Sequence, residues 1–214
     1  MFPDMGQFLL KLAIFAPPML MAVTFHEVSH GVAAAALGDP TARLAGRLTL
    51  NPFKHLDPVG LLVFVITQMI GWAKPVPVDS RYFRNPRSGM VIVSIAGPAA
   101  NFLLAGVSAL ALGGLEAAFH AWRDPFWQAN LLTPLLYMCV ASVQVNLSLG
   151  VFNLLPIPPL DGGHILLGLL PKRLAYELAL RERWGFIAVL LLAMSGVLGR
   201  ILSPVVTYLY NLLI

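Results

Sequence analysis

This chain is poor in charge. Of its 214 residues only 11% are Asp, Glu, Lys or Arg, while 58% are hydrophobic; an ordinary soluble domain is roughly a quarter charged. With a mean hydropathy of +0.78, that balance excludes a soluble globular domain and marks an integral membrane protein. Cysteine is nearly missing too. Cys139 stands alone within an apolar run, which excludes a disulfide framework and a thiolate zinc site, so any metal must be held by His, Asp or Glu. The N-terminus lacks the basic stretch and small-residue cleavage site of a signal peptide. No internal repeat is visible and no polar connection is long enough for a second unit, so residues 1–214 are expected to form one domain. The net charge of +4 and a pI near 9.5 do not signal nucleic-acid binding, because the basic residues fall in short connections between apolar runs, the pattern of topogenic charge.

What is present is a set of apolar segments. Residues 8–37, 89–115, 130–153 and 184–213 are each long enough to span a hydrocarbon core, which takes about 20 helical residues. Pro17 and Pro18 are expected to kink the first segment or mark its start, and Gly38, Asp39 and Pro40 to end it. Residues 41–58 are polar and turn-rich, and the partial alternation over Arg43 to Leu50 predicts a short strand or hairpin. Residues 59–71 number only thirteen, short for a crossing, so they are expected to re-enter. Residues 116–129 are expected to be a loop carrying Trp122 and Trp127 to an interface, and 184–213 one helix interrupted between Gly196 and Pro204. In the second span Gly97 allows close helix approach, and Asn101 is read as packing glue that hydrogen-bonds across an interface. The fold expected is therefore an all-α polytopic membrane protein. It has about four transmembrane helices, a re-entrant segment, and a small β hairpin or sheet near the active site.

Basic residues fix the expected orientation. If 59–71 re-enters, the connections 38–89 and 157–183 share a side and hold eleven Lys and Arg, against three at most on the other. That is a strong positive-inside bias toward the cytoplasm.

The chemistry lies in residues 23–32, VTFHEVSHGV. On a helix, residues four apart share a face, so His26 and His30 can present imidazole nitrogens to one metal ion with Glu27 beside it. Ionisable groups in such a segment cost about 3 kcal/mol each by insertion scales, so three within five residues need a compensating function. Asp161, in the glycine turn PPLDGG after the third span, lies at similar depth in this topology and can complete the ligand set, because a catalytic zinc takes three protein ligands and keeps a fourth position open.

Together, HEVSH at 26–30 and NLLPIPPLDGG at 153–163 resemble the paired HExxH and N-P-x-P-x-LDG motifs of the site-2 protease family of intramembrane zinc metalloproteases. GDPTARLAGRLTLNPFKHLDPVG, GWAKPVPV and AGPAAN are similar to a compact bacterial branch without a PDZ or CBS domain, and the likeness spans residues 20–170. One departure is that Leu154 and Leu155 separate Asn153 from Pro156. The resemblance implies one Zn2+ per chain held by His26, His30 and Asp161, Glu27 as the catalytic glutamate, and Asn153 in substrate handling. His164, three residues beyond Asp161, is a further candidate for orienting a ligand or meeting an oxyanion. His55 and His120 are assigned no chemistry. The expectation is an intramembrane zinc endopeptidase of regulated intramembrane proteolysis. It would sit in the lipid bilayer of a bacterial inner membrane with its site toward the cytoplasm, and act on transmembrane peptides or membrane-protein substrates. The competing classes are a silent zinc-binding scaffold, which would not need Glu27, and a metal transporter, which would carry more polar residues in its later spans.

Overall fold

The computed structural model describes residues 5–67, 72–122 and 124–214. The chain is built of helices: α1 Met5–Ala36, α2 Thr41–Leu44, α3 Pro58–Thr67, α4 Pro86–Ala121, α5 Pro125–Trp127, α6 Thr133–Asn153, α7 Asp161–Leu169, α8 Lys172–Ala179, α9 Glu182–Met194 and α10 Val197–Leu213. A π turn over Gln128–Leu132 joins α5 to α6, so Pro125–Asn153 forms one span-length element. Among the described residues three helices are long and apolar enough to cross a membrane, and a fourth span results if α9 and α10 count as one. Those two meet at 79°, where Gly196 adopts a φ of 73°. The left-handed conformation suits glycine, and the expected interruption falls there. Of the segment 59–71, residues 59–67 lie in α3; its end lies outside the described residues.

Helices α1, α4 and α6 pack against one another, with α7 on α4 and α10 on α6. Small residues make the close approach possible: Ala22, Ala34, Ala105 and Ala141 are all buried. Around Ala105, Val143 and Leu147 the core is completed by Phe102 and by Val206, Leu209 and Tyr210 of α10. Large apolar side chains such as Leu10, Phe15, Leu103 and Leu110 remain exposed on the outside of the bundle, as a lipid-facing surface requires.

Two expectations are corrected. Among the described residues there is no strand, and the only ladder contact is an isolated bridge between Leu56 and Ala73. Arg43 to Leu50 begins inside α2. The local chemistry explains why. The Asp39 carboxylate accepts from the Thr41 N–H at 2.9 Å and from its hydroxyl, which starts a helical turn, and Gly46 at φ 64° ends it. The Gly46 N–H reaches Arg43 O and the Arg47 N–H reaches Ala42 O, the Schellman pattern. The same pattern closes α1, where Gly38 bonds Ala35 O and Asp39 bonds Ala34 O. Beyond Gly46, residues 47–50 follow without regular structure. The loop expected at 116–129 is also shorter, because α4 continues to Ala121 and Pro125 opens the next helix with Asp124 as its cap.

Candidate metal centre

The C-terminal half of α1 carries His26, Glu27 and His30, and α7 opens on Asp161. Gly162 and Gly163 bring Asp161 to α1, although not through unusual backbone angles. A Cβ on Gly162 would collide with the Leu154 and Leu155 carbonyls, and one on Gly163 with the Pro158 backbone. The two glycines thus let α7 start directly against the 154–158 loop. Gly97 of α4 has a corresponding role: a Cβ there would lie 2.5 Å from His30 Nε2 and 2.7 Å from His26 Cε1. The imidazoles occupy the space that a side chain at 97 would take.

His26, His30 and Asp161 converge, with donor atoms within 4.8 Å of one another, and are the one such group among the described residues. The two Nε2 atoms are 3.0 Å apart. His26 Nε2 lies 3.2 Å from Asp161 Oδ2 and His30 Nε2 lies 3.3 Å from Asp161 Oδ1. A zinc ion with bond lengths of about 2.0–2.1 Å in tetrahedral geometry needs donors about 3.3 Å apart, so the spacing fits.

The outer nitrogens decide what the inner ones can do. His30 Nδ1 is 2.8 Å from the Val93 carbonyl, which can only accept. His26 Nδ1 is 2.7 Å from Asn101 Oδ1. In their neutral forms both rings therefore carry their proton on Nδ1 and turn a bare Nε2 lone pair inward, the tautomer a metal ligand needs. Two lone pairs 3.0 Å apart repel one another unless a cation lies between them. Asp161 Oδ2 is buried with no hydrogen-bond partner, a third acceptor facing the same point. The donor set is nitrogen and oxygen, the chemistry of a zinc site, and the residues fit that ion.

Glu27 stands outside the group of three. Its Oε2 accepts the Val76 N–H at 2.8 Å, which aims the carboxylate from the 72–79 connection. That connection is fastened along its length. The Lys74 N–H donates to His55 O, Arg47 Nη2 donates to Lys74 O at 2.6 Å, and the Asp79 N–H donates to Asp39 Oδ2 at 2.7 Å. Gly31 admits it to α1, since a Cβ there would meet Leu48 Cδ2 at 2.6 Å and Val76 Cγ1 at 3.1 Å.

The remaining candidates lie elsewhere. Asn153 ends α6 and its Nδ2 donates back to Leu149 O at 2.9 Å. His164 lines a cavity of about 350 Å³ with Arg87, Met90 and Lys172 and is not part of the converging group. His55 is fully buried, with Nε2 2.9 Å from Thr49 O, a bracing residue. Sequence reasoning placed Gly97 at a close helix approach without seeing that the ligand imidazoles fill it, and missed Asn101 as the partner of His26, together with Val76 and Arg47. AGPAAN at 96–101, with a small residue and an amide four apart on an apolar helix, held the available signal for Gly97 and Asn101.

Residues 112–195 match the family model Peptidase family M50. A Bacillus subtilis protein named "Putative zinc metalloprotease YwhC" is 39% identical over 193 residues, 87% of this chain and 82% of the relative. Rip2 of Mycolicibacterium smegmatis, named in the same terms, is 34% identical over 199 residues, 91% of this chain and 70% of the relative. Rip2 of Mycobacterium tuberculosis H37Rv is 30% identical over 199 residues, 90% and 71%. No solved structure matches the chain. The extent of the YwhC similarity, reaching well beyond the matched family segment and over most of both chains, shows that this chain belongs to peptidase family M50, the site-2 protease family of membrane zinc metalloproteases.

Proposed function

We propose that the protein is an intramembrane zinc endopeptidase that hydrolyses peptide bonds in or near transmembrane segments of membrane-protein substrates, as in regulated intramembrane proteolysis. His26, His30 and Asp161 hold one zinc ion and Glu27 is the catalytic base. The observation that carries this reading is the pair of inward Nε2 atoms 3.0 Å apart, each with its Nδ1 committed to an acceptor, facing an unpartnered Asp161 oxygen.

Zinc in that position supplies Lewis acidity to the scissile carbonyl and to a water molecule. Glu27, held by the Val76 N–H and free of the ligand set, takes the proton from the attacking water and delivers it to the leaving amine. A binding scaffold has no use for a carboxylate directly beside its ligand His26 and outside the ligand set, and the presence of Glu27 favours turnover. A substrate helix keeps its carbonyls bonded within itself, and groups freed in lipid must find partners at once. Helix-breaking residues near the scissile bond therefore assist cleavage. Asn153, at the end of α6, is available to the extended substrate backbone, and the positive-inside count orients the site toward the cytoplasm of a bacterial inner membrane.

The test is the separation of metal from turnover. Glu27→Gln in proteoliposomes retains zinc and loses cleavage of a transmembrane peptide, whereas Asp161→Ala loses both. Equal zinc loss in the two variants overturns these roles.

A further inference from the structure

A file of polar side chains runs away from the metal centre through the bundle interior. Asn101 and Asn146 are both completely buried, so a partner lost by either is costly. Asn101 Oδ1 faces His26 Nδ1 at 2.7 Å. Its Nδ2 donates to Ala22 O at 3.1 Å and to Asn146 Oδ1 at 2.9 Å, which uses both amide hydrogens. Asn146 is oriented in turn, because its Nδ2 donates to Ser142 O at 2.9 Å and approaches Ser142 Oγ at 3.3 Å. Ser142 Oγ lies 2.7 Å from Ser108 Oγ, which closes the file between α6 and α4.

An asparagine amide is nearly symmetric in shape, so what fixes its orientation is the chemistry around it. If the Asn101 amide turned over, its oxygen would face two acceptors, Ala22 O and Asn146 Oδ1, and its nitrogen would face His26. His26 Nδ1 would then have to accept, and the ring proton would move to Nε2. That atom lies 3.0 Å from His30 Nε2 and 3.2 Å from Asp161 Oδ2, so it would find a partner in the metal-free centre and no longer offer a lone pair. The orientation of Asn101 thus selects between a tautomer that binds metal and one that does not, and Ala22 O alone is half of what selects it.

We infer that Asn146 is a positioning residue for the metal centre: by accepting from Asn101 it keeps the Asn101 oxygen on His26 and so holds His26 in the Nδ1–H tautomer that leaves Nε2 free. This rests on the reading of His26 as a metal ligand. Outer partners of metal-bound histidines typically change metal affinity by about 10–100-fold when removed. Here the effect is relayed through a second amide, and a buried network of this kind acts as a unit.

The experiment uses the full chain in nanodiscs with 15N-histidine labelling. Asn146→Leu and Asn146→Ala remove the acceptor. Both are expected to lower zinc affinity about tenfold or more by chelator competition, and to shift the metal-free His26 resonances from pure Nδ1–H toward an Nε2–H population. Asn146→Asp, as a neutral acid, keeps an acceptor for Asn101 and a donor for Ser142, and restores wild-type affinity and tautomer. A merely structural role for Asn146 predicts lower stability in all three with the His26 tautomer unchanged, and that result overturns the inference. His26→Ala separates the two levels. If it binds zinc as tightly as wild type, the ligand reading itself fails. If it loses zinc while Asn146→Leu or Asn146→Ala matches wild type in affinity and tautomer, the inference alone fails.

Discussion

The backbone N–H of Val76 donates to Glu27 Oε2 across 2.8 Å, so the carboxylate proposed as the base is aimed by a segment 49 residues away in sequence. Val76 lies between Pro75 and Pro77. Neither proline offers an N–H, so the donor is singled out by its neighbours.

Arg47 braces that donor. It is buried, and its guanidinium holds Lys74 O, two residues before Val76. Arg47→Met is expected to loosen the segment and lower the cleavage rate about tenfold, a fraction of what general-base catalysis contributes, with zinc content unchanged. Steady-state cleavage beside metal analysis checks this. Loss of zinc in step with activity would show that Arg47 supports the whole fold and not the aim of Glu27.

Gly97→Ala tests the packing of the ligands. The added methyl would lie 2.5 Å from His30 Nε2 and Cε1, and rigid ring atoms on a packed helix have nowhere to go. Zinc affinity should fall at least about tenfold, with an overpacking cost of about 1–3 kcal/mol in stability. Gly106→Ala on the same helix, where nothing lies within 4 Å of the new atom, should leave zinc affinity unchanged and raise stability by up to about 1 kcal/mol.

Much of this centre was legible in the sequence because helical spacing alone puts His26 and His30 on one face. Asp161 was legible because the topology puts it at the same depth. The Gly38 and Asp39 stop was legible for the same local reason, since left-handed glycine closes α1. Other features were not. The alternation from Arg43 to Leu50 pointed to a strand, but the Asp39 carboxylate and Gly46 set a helical turn first. Asn101 could be read as a hydrogen-bonding residue, yet its partner His26 lies 75 positions away and is chosen by helix packing that no local pattern encodes. The 72–79 connection gave no hint that one amide in it would face Glu27.

Asp39 carries a pH dependence. Burial pushes its carboxyl up, but the Thr41 hydroxyl and the backbone N–H groups of Asp79 and Thr41 outweigh burial and hold its pKa below the ordinary value. A carboxylate depressed in the folded state stabilises it above the unfolded pKa, and the contribution is lost as pH falls through the folded value. Thermal unfolding should therefore show Asp39→Asn less stable than wild type by about 1 kcal/mol at neutral pH, with the gap closing in acid. A gap that stays constant down to the acid limit would contradict this account of Asp39.

The most direct measurement is the zinc content of purified protein across ligand and control variants. His26→Ala, His30→Ala and Asp161→Ala should each lose tightly held zinc, while Cys139→Ser and Glu27→Gln retain one ion per chain. Stoichiometric zinc in any of the first three, or its loss on removing the Cys139 sulfur, would contradict a centre built from two imidazoles and one carboxylate.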